Sequence, residues 1–372
     1  MTLTTLLPST TPAASSPAGE SPHRLPPDGP QNATKASTLS AAYPALHCLT
    51  GVQILSVGAY APPEVVTNAD LASLGCDAEW IVQRTGIRER RRAAADVATS
   101  DLAYEAAVRC LQRAGVSIDQ VDLIVLATMT PDSPTPSTAC QMQRRLGGRA
   151  PAFDVSAACA GFMFALVTGM QFVKTGCARR VLVVGADLMT RVVDPADKKI
   201  FPLFGDGAGA VLLGPGDEDQ GLLSYSLGAD GSGASLLQTY AGGTREPLTA
   251  EGIAAGRQYM QMEGRAVFKW AVHLLVDSIR ECLGAAGLTP AELDCLVLHQ
   301  ANHRILTAAA DALEIPPEKL AINLDRYGNT SAASIPLVLD ELQTAGRLRR
   351  GDHILISGFG AGLAWGTGVF RW

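Results

Sequence analysis

Two parts of this 372-residue chain repeat each other, and that repetition limits the folds open to it. CLQRAGVSIDQVDLIVLATM begins at Cys110 and CLGAAGLTPAELDCLVLHQA begins at Cys282. Cys-Leu, Ala-Gly, Asp and Val-Leu recur in register at a spacing of 172. Each copy reads as the end of an amphipathic helix, a glycine that stops it, a short loop and a strand. VDLIVLATM and LDCLVLHQA are apolar almost throughout, which suits strands covered on both faces. RVLVVGADL, from Arg180, matches DHILISGFG, from Asp352, at the same spacing. Ser156-Ala157-Ala158-Cys159 matches Ser331-Ala332-Ala333-Ser334 at a spacing of 175, with Ser334 standing where Cys159 stands. Matches recurring in one order predict a duplicated α/β unit, each half a sheet with helices on both faces.

In each half a strand leads through a turn of small residues into a helix. AGFMFALVTGMQFV, 160–173, has no polar face, as a helix clamped between two layers requires. If the halves pack about a pseudo-twofold axis, both turns face a common centre. Cys159 then sits at the N-terminus of a buried helix, where unpaired N–H groups and the helix dipole favour a thiolate. His299 falls at the carboxyl end of a predicted strand, the edge at which open α/β sheets bind ligands. Asn329 opens the second small-residue turn, after Gly328. Each of the three has an ordinary reading as well: a small buried hydrophobe for the cysteine, a core or surface histidine, and a turn or cap asparagine.

Composition excludes several classes of function. The net charge of −6 argues against nucleic acid or anionic lipid as the main partner. No apolar run reaches the roughly 18 residues of a membrane span. The eight cysteines form no CxxC pair, which fits a reducing, cytoplasmic setting. The histidines are not paired at ligand spacing, so no metal is expected. FGAGLAWG (359–366) and FGDGAGAVLLG (204–214) miss the G-x-G-x-x-G spacing, so no dinucleotide cofactor is expected; the second reads as a structural turn before a strand. Residues 1–50 are rich in Pro, Ser, Thr and Ala without apolar periodicity and read as a disordered extension. They lack the basic start and apolar centre of a secretory signal. The duplication then divides the remainder into 51–219, carrying Cys159, and 220–372, carrying His299 and Asn329.

DVSAACAGF, HQANHRI, YGNTSAAS and FGAGLAWG together resemble the β-ketoacyl-[acyl-carrier-protein] synthase III family, the initiating condensing enzymes of type II fatty acid synthesis. The resemblance runs from about Gly51 to Trp372. It implies a thiolase-like fold of two α-β-α-β-α layered halves and a homodimer. Its activity is the decarboxylative condensation of an acyl-CoA primer with malonyl-[acyl-carrier-protein]. Cys159 would be acylated, with His299 and Asn329 holding the malonyl thioester oxygen. The backbone N–H groups of Cys159 and Ala361 would hold that of the acyl-cysteine. Trp80, Arg84, Lys198, Arg265 and Asn302 fall at coenzyme A and pantetheine positions, and Lys269 and Arg304 at carrier-protein positions. Lys198 stands where the family has an arginine, keeping the charge without the bidentate fork. The acyl pocket would be closed by Phe204, Met260 and Met262, and by Thr135 from the other subunit. Enteric relatives carry Phe at that last position, so the smaller Thr135 implies tolerance of primers longer than acetyl. Two alternatives stay open: a ketosynthase or acyltransferase of secondary metabolism using the same three residues, and a non-catalytic member of the fold.

Overall fold

The computed structural model describes residues 45–372. The expected disordered extension lies outside the described residues as far as position 44, but its last part is corrected. Strand β1 (His47–Thr50) is followed at once by β2 (Val52–Tyr60), and Leu49 is buried in the core. The first sheet is ordered β2–β6–β5–β3–β4, with β3 Leu123–Ala127, β4 Ala152–Val155, β5 Val181–Leu188 and β6 Asp206–Pro215. The second is ordered β1–β7–β10–β9–β8, with β7 Gly221–Ala229, β8 Cys295–Leu298, β9 His353–Gly360 and β10 Ala364–Arg371. Thus β1 lies antiparallel to β7 and completes the sheet of the second half. FGDGAGAVLLG, expected as a turn before a strand, is largely the strand β6 itself.

Seven helices carry the argument: α1 (Ala78–Thr85), α2 (Thr99–Ala114), α3 (Thr138–Leu146), α4 (Gly161–Lys174), α5 (Gly264–Ala286), α6 (His303–Ala312) and α7 (Ser334–Thr344). Strand side chains alternate between faces. Val125 and Val183 therefore point inward, to Phe162 and Leu166 of α4 and Val338 and Leu339 of α7. Ile124, Leu126, Leu182 and Val184 point outward, to Ala103, Ala106 and Ala107 of α2. In the second sheet Leu296, Leu298 and Leu355 meet Ile279 and Leu283 of α5. Both faces of each sheet are covered, which is why the central strands read as unbroken apolar runs. The result is five layers, α-β-α-β-α, with α4 and α7 in the middle.

The repeat holds, but its register changes along the chain. Leu123 faces Val181 in one sheet and Cys295 faces Ile354 in the other. The spacing is 172 between β3 and β8 and 173 between β5 and β9. The turns follow the second value. Ala158 and Ser331 both have positive φ, +45° and +53°, each opens a 3₁₀ turn, and α4 and α7 begin three residues later. The structural counterpart of Cys159 is therefore Ala332, not Ser334, and Asn329 corresponds to Ser156. Alanine-rich turns carry little alignment information; backbone conformation decides the register.

The halves differ where they are joined. Segment 361–363 links β9 to β10, whereas 189–205 links β5 to β6. The longer link forms a wall over the strand ends, and it is there that the two halves stop being alike.

Candidate active site

Cys159 is carried on the 3₁₀ turn between β4 and α4, at the carboxyl edge of the first sheet. Beside it runs the end of β9. A Cβ on Gly360 would stand 2.8 Å from the Cys159 Cβ and 2.9 Å from its N. Glycine there leaves the Cys159 N–H open to the space in front of it.

His299 continues from β8, its N–H donating to Ser357 O at 2.8 Å. Its ring is buried, with Nδ1 2.7 Å from Ser334 Oγ. The same oxygen accepts the Gln300 N–H at 3.3 Å. Ser334 Oγ, with one lone pair taken by that N–H, can donate its own proton to Nδ1, the arrangement that leaves the ring proton on Nε2. Burial pushes the imidazolium pKa down to about 3, so the ring is neutral throughout the physiological range. Phe359 meets it edge-on, with ring centroids 5.3 Å apart.

Asn329 is fixed on three sides. Its N–H donates to Leu203 O at 2.8 Å, its C=O accepts from Gly205 N at 3.1 Å, and its Oδ1 accepts from Ser331 N at 2.9 Å. With Oδ1 engaged inside the turn, the Nδ2 amide hydrogens are the free end of the side chain. The long 189–205 link thus sets the position of Asn329 through its last residues.

All three side chains line one cavity of about 320 Å³. On one side its wall is apolar: Phe204, Leu237 and Met260 are buried, with Met129 and Met262 beside them. None of the lining residues is acidic, and Arg84, Lys198, Lys199 and Arg304 reach it from exposed positions. A basic mouth on a chain of net charge −6 favours anionic ligands.

The expectation of a resting thiolate is overturned. Burial pushes the Cys159 thiol up to about 12; the Ser331 hydroxyl opposes that shift, and the Asp187 carboxylate adds to it. The full helix starts only at Gly161, and desolvation outweighs the dipole. Burial thus favours the neutral thiol at Cys159.

The other expected residues divide into two groups. Phe204, Met260, Met262, Ala361, Trp80, Arg84, Lys198, Asn302 and Arg304 line the cavity. Trp80 is 41% exposed, with the Arg84 guanidinium over one face of its ring at 5.5 Å. Asn302 caps α6, its Oδ1 accepting the Arg304 N–H while its Nδ2 donates to Arg84 O, so its carboxamide ties α1 to α6. Arg265, Lys269 and Thr135 are exposed and lie outside the cavity of their own chain. Sequence reasoning assigned no role in the site to Ser331, Ser334, Asp187, Phe359 or Gln300. Buried Gln300 accepts the Asn323 and Leu324 N–H groups and donates to Leu298 O and Ala321 O, closing the loop behind His299. Ser334 had a signal, the serine repeated at the head of α7; Asp187 had one in a carboxylate ending an otherwise apolar strand.

Comparison with known proteins matches two family models, "3-Oxoacyl-[acyl-carrier-protein (ACP)] synthase III" over 153–231 and its C-terminal counterpart over 283–372. A β-ketoacyl-[acyl-carrier-protein] synthase III of Rhodopirellula baltica is 57% identical over 87% of this chain and 99% of its own. The chain belongs to the β-ketoacyl-[acyl-carrier-protein] synthase III family. The synthase III of Geobacillus kaustophilus is 48% identical over 87% of this chain and 99% of its own. The synthase III crystal structure from Aquifex aeolicus superimposes with a TM-score of 0.80 at 41% identity, covering 87% of this chain and all of that one. The priming β-ketosynthase of the R1128 polyketide pathway gives 0.82 at 38%, covering 87% and 96%. This synthase III is thus an acyl-transferring condensing enzyme of thiolase fold. Among its described residues no group of three or more His, Cys, Asp or Glu side chains converges as a metal site, and no helix is long and apolar enough to cross a membrane.

Proposed function

We propose that this synthase III condenses an acyl-CoA primer with malonyl-[acyl-carrier-protein], using Cys159 as nucleophile and His299 with Asn329 as the malonyl oxyanion donors. The observation that carries this reading is the convergence of one thiol and two neutral, fixed donors on a single cavity with a basic mouth.

Acylation comes first. Cys159 sulfur attacks the thioester carbonyl, the thiol proton passes to the departing CoA sulfur, and acyl-Cys159 and CoA result. The carbonyl oxygen becomes an oxyanion within reach of the Cys159 and Ala361 N–H groups, a role that the open space at Gly360 supports. Malonyl-[acyl-carrier-protein] then enters through the same mouth. Loss of CO₂ leaves an enolate, and His299 Nε2–H with Asn329 Nδ2–H hold its oxygen. A neutral imidazole suits this step, because an imidazolium would protonate the carbanion. The enolate carbon attacks acyl-Cys159, the thiolate leaves and takes up one proton, and β-ketoacyl-[acyl-carrier-protein] is released. Every step is written with the chain's own groups and the two substrates, and no cofactor is assigned.

Trp80, with one face occupied by Arg84, offers the other to the adenine of coenzyme A. Lys198, Arg265 and Asn302 flank the path to the cavity, while Lys269 and Arg304 present positive charge to an acidic carrier protein. The enzyme acts as a cytoplasmic homodimer. Supporting the dimer, β4 is the outer strand of its sheet. Thr135 is exposed, as a residue reaching into a neighbour's acyl pocket would be. A second reading, starter condensation for polyketides, is favoured by the likeness to the R1128 priming enzyme; it uses the same chemistry and differs in the carrier protein served.

Separated half-reactions test the assignment. His299→Ala and Asn329→Ala should still release CoA from an acyl-CoA primer but lose at least about a hundredfold in CO₂ release from malonyl-[acyl-carrier-protein]. CO₂ release at the unaltered rate in either variant would refute the donor roles.

A further inference from the structure

Each small-residue turn packs against a strand of the opposite half, Cys159 against the end of β9 and Ala332 against the end of β5. A Cβ on Gly358 would stand 3.3 Å from Cys159 O, and one on Gly185 would stand 2.3 Å from Ala332 O. The spacing of 173 relates both pairs, so strand and turn meet in the same way in the two halves. Two residues further along the strands the likeness ends, with Gly360 on β9 and Asp187 on β5. Glycine at 360 leaves the Cys159 N–H open. Asp187 instead covers the equivalent N–H, its Oδ2 accepting from Ala332 N at 3.1 Å.

Asp187 is wholly buried, and a buried carboxyl group is tolerated when donors fill both of its oxygens. Its Oδ1 accepts from Thr128 Oγ1, Met129 N, Thr130 N and Thr130 Oγ1 at 2.8–3.2 Å. An amide oxygen could serve that side alone; the carboxylate offers a second acceptor to Ala332. The peptide that carries the Ala332 N–H follows Ser331, and the Ser331 N–H is the donor that holds Asn329 Oδ1 at 2.9 Å. Anchoring Ala332 therefore fixes the hydrogen bond that orients the Asn329 carboxamide. The same side chain ties this turn to Met129, which lines the cavity.

We propose that Asp187 is a positioning residue for decarboxylation, anchoring the second turn so that Asn329 Nδ2 stays aimed at the malonyl thioester oxygen. This rests on the reading of Asn329 as a malonyl oxyanion donor. Asp187 stands outside the cavity lining and acts through the backbone of the turn. Acylation of Cys159 draws on the N–H groups of Cys159 and Ala361 and does not depend on that anchor. The first half thus keeps its turn N–H for substrate, while the second uses the equivalent N–H to hold a catalytic side chain in place.

Asp187→Asn in the full chain tests this, because an amide has one acceptor oxygen. With that oxygen kept by the donors of residues 128–130, Nδ2 meets the Ala332 N–H donor to donor, and the turn shifts. CO₂ release from malonyl-[acyl-carrier-protein] should fall about tenfold, as for one lost hydrogen bond, while CoA release from an acyl-CoA primer stays within about twofold of the parent. Asp187→Ala, which removes the acceptor without adding a donor, should show the same split. In an Asn329→Ala background there is no carboxamide to orient, and Asp187→Asn should lower CO₂ release no further. Unchanged CO₂ release, equal losses in both half-reactions, or a full further loss in the Asn329→Ala background would overturn the positioning role. If Asn329→Ala alone releases CO₂ at the parent rate, the reading beneath it fails instead.

Discussion

His299 links the chemistry to stability in a way that can be measured. Burial lowers its pKa from 6.5 to about 3, with no carboxylate to restore it. The unfolded chain therefore binds a proton at this residue below pH 6.5, and the folded chain does not until far lower. The stability due to the neutral ring is present in full above pH 6.5. It is lost as pH falls, at about 1.4 kcal/mol per pH unit, until the folded state titrates as well. At pH 5 the loss comes to about 2 kcal/mol. Urea unfolding of the parent and of His299→Gln, at pH 7 and pH 5, isolates it: the parent should lose about 2 kcal/mol more than the variant over that interval. The decarboxylation step should show no inflection near 6.5. Parallel stability curves for the two proteins, or an inflection at 6.5, would mean that the ring is solvated and cannot be the neutral donor described above.

Two further outcomes follow from the same geometry. Gly360→Ala forces a methyl against the nucleophile's own backbone. It should destabilise the fold by about 1–3 kcal/mol and abolish acylation of Cys159, read as CoA release. A wall of Phe204, Leu237, Met260 and Met262, with the small Thr135 proposed to complete it from a second subunit, should accept primers beyond acetyl. Relative kcat/KM for acetyl-, butyryl-, octanoyl- and decanoyl-CoA measures this, and a steep fall after acetyl would show that the methionines close the tunnel.

Much of this molecule was legible from its sequence, and the gaps have physical causes. The buried strands and the clamped helix α4 announced themselves because burial on every side leaves no room for polar residues. The duplication followed from them. The register of the two turns did not, because Ser-Ala-Ala repeats carry no side chain large enough to specify a partner; the positive φ shared by Ala158 and Ser331 settled it. The thiol's ionisation was misjudged for a related reason. A helix N-terminus can be read from sequence, but the desolvation opposing it depends on walls contributed by residues 189–205, far along the chain. Ser334 and Asp187 were missed because their partners, His299 and the Ala332 N–H, lie in other elements, and no local pattern reveals such a contact. Residues 47–50 joined a sheet whose other strands begin at Gly221, a pairing without local signal.

The most direct measurement is peptide mass spectrometry of the purified protein after incubation with an acyl-CoA primer alone. One acyl group per chain, located on Cys159 and discharged on adding malonyl-[acyl-carrier-protein] with release of CO₂, is the predicted result. An unmodified Cys159, or an acyl group carried by another of the eight cysteines, would contradict it.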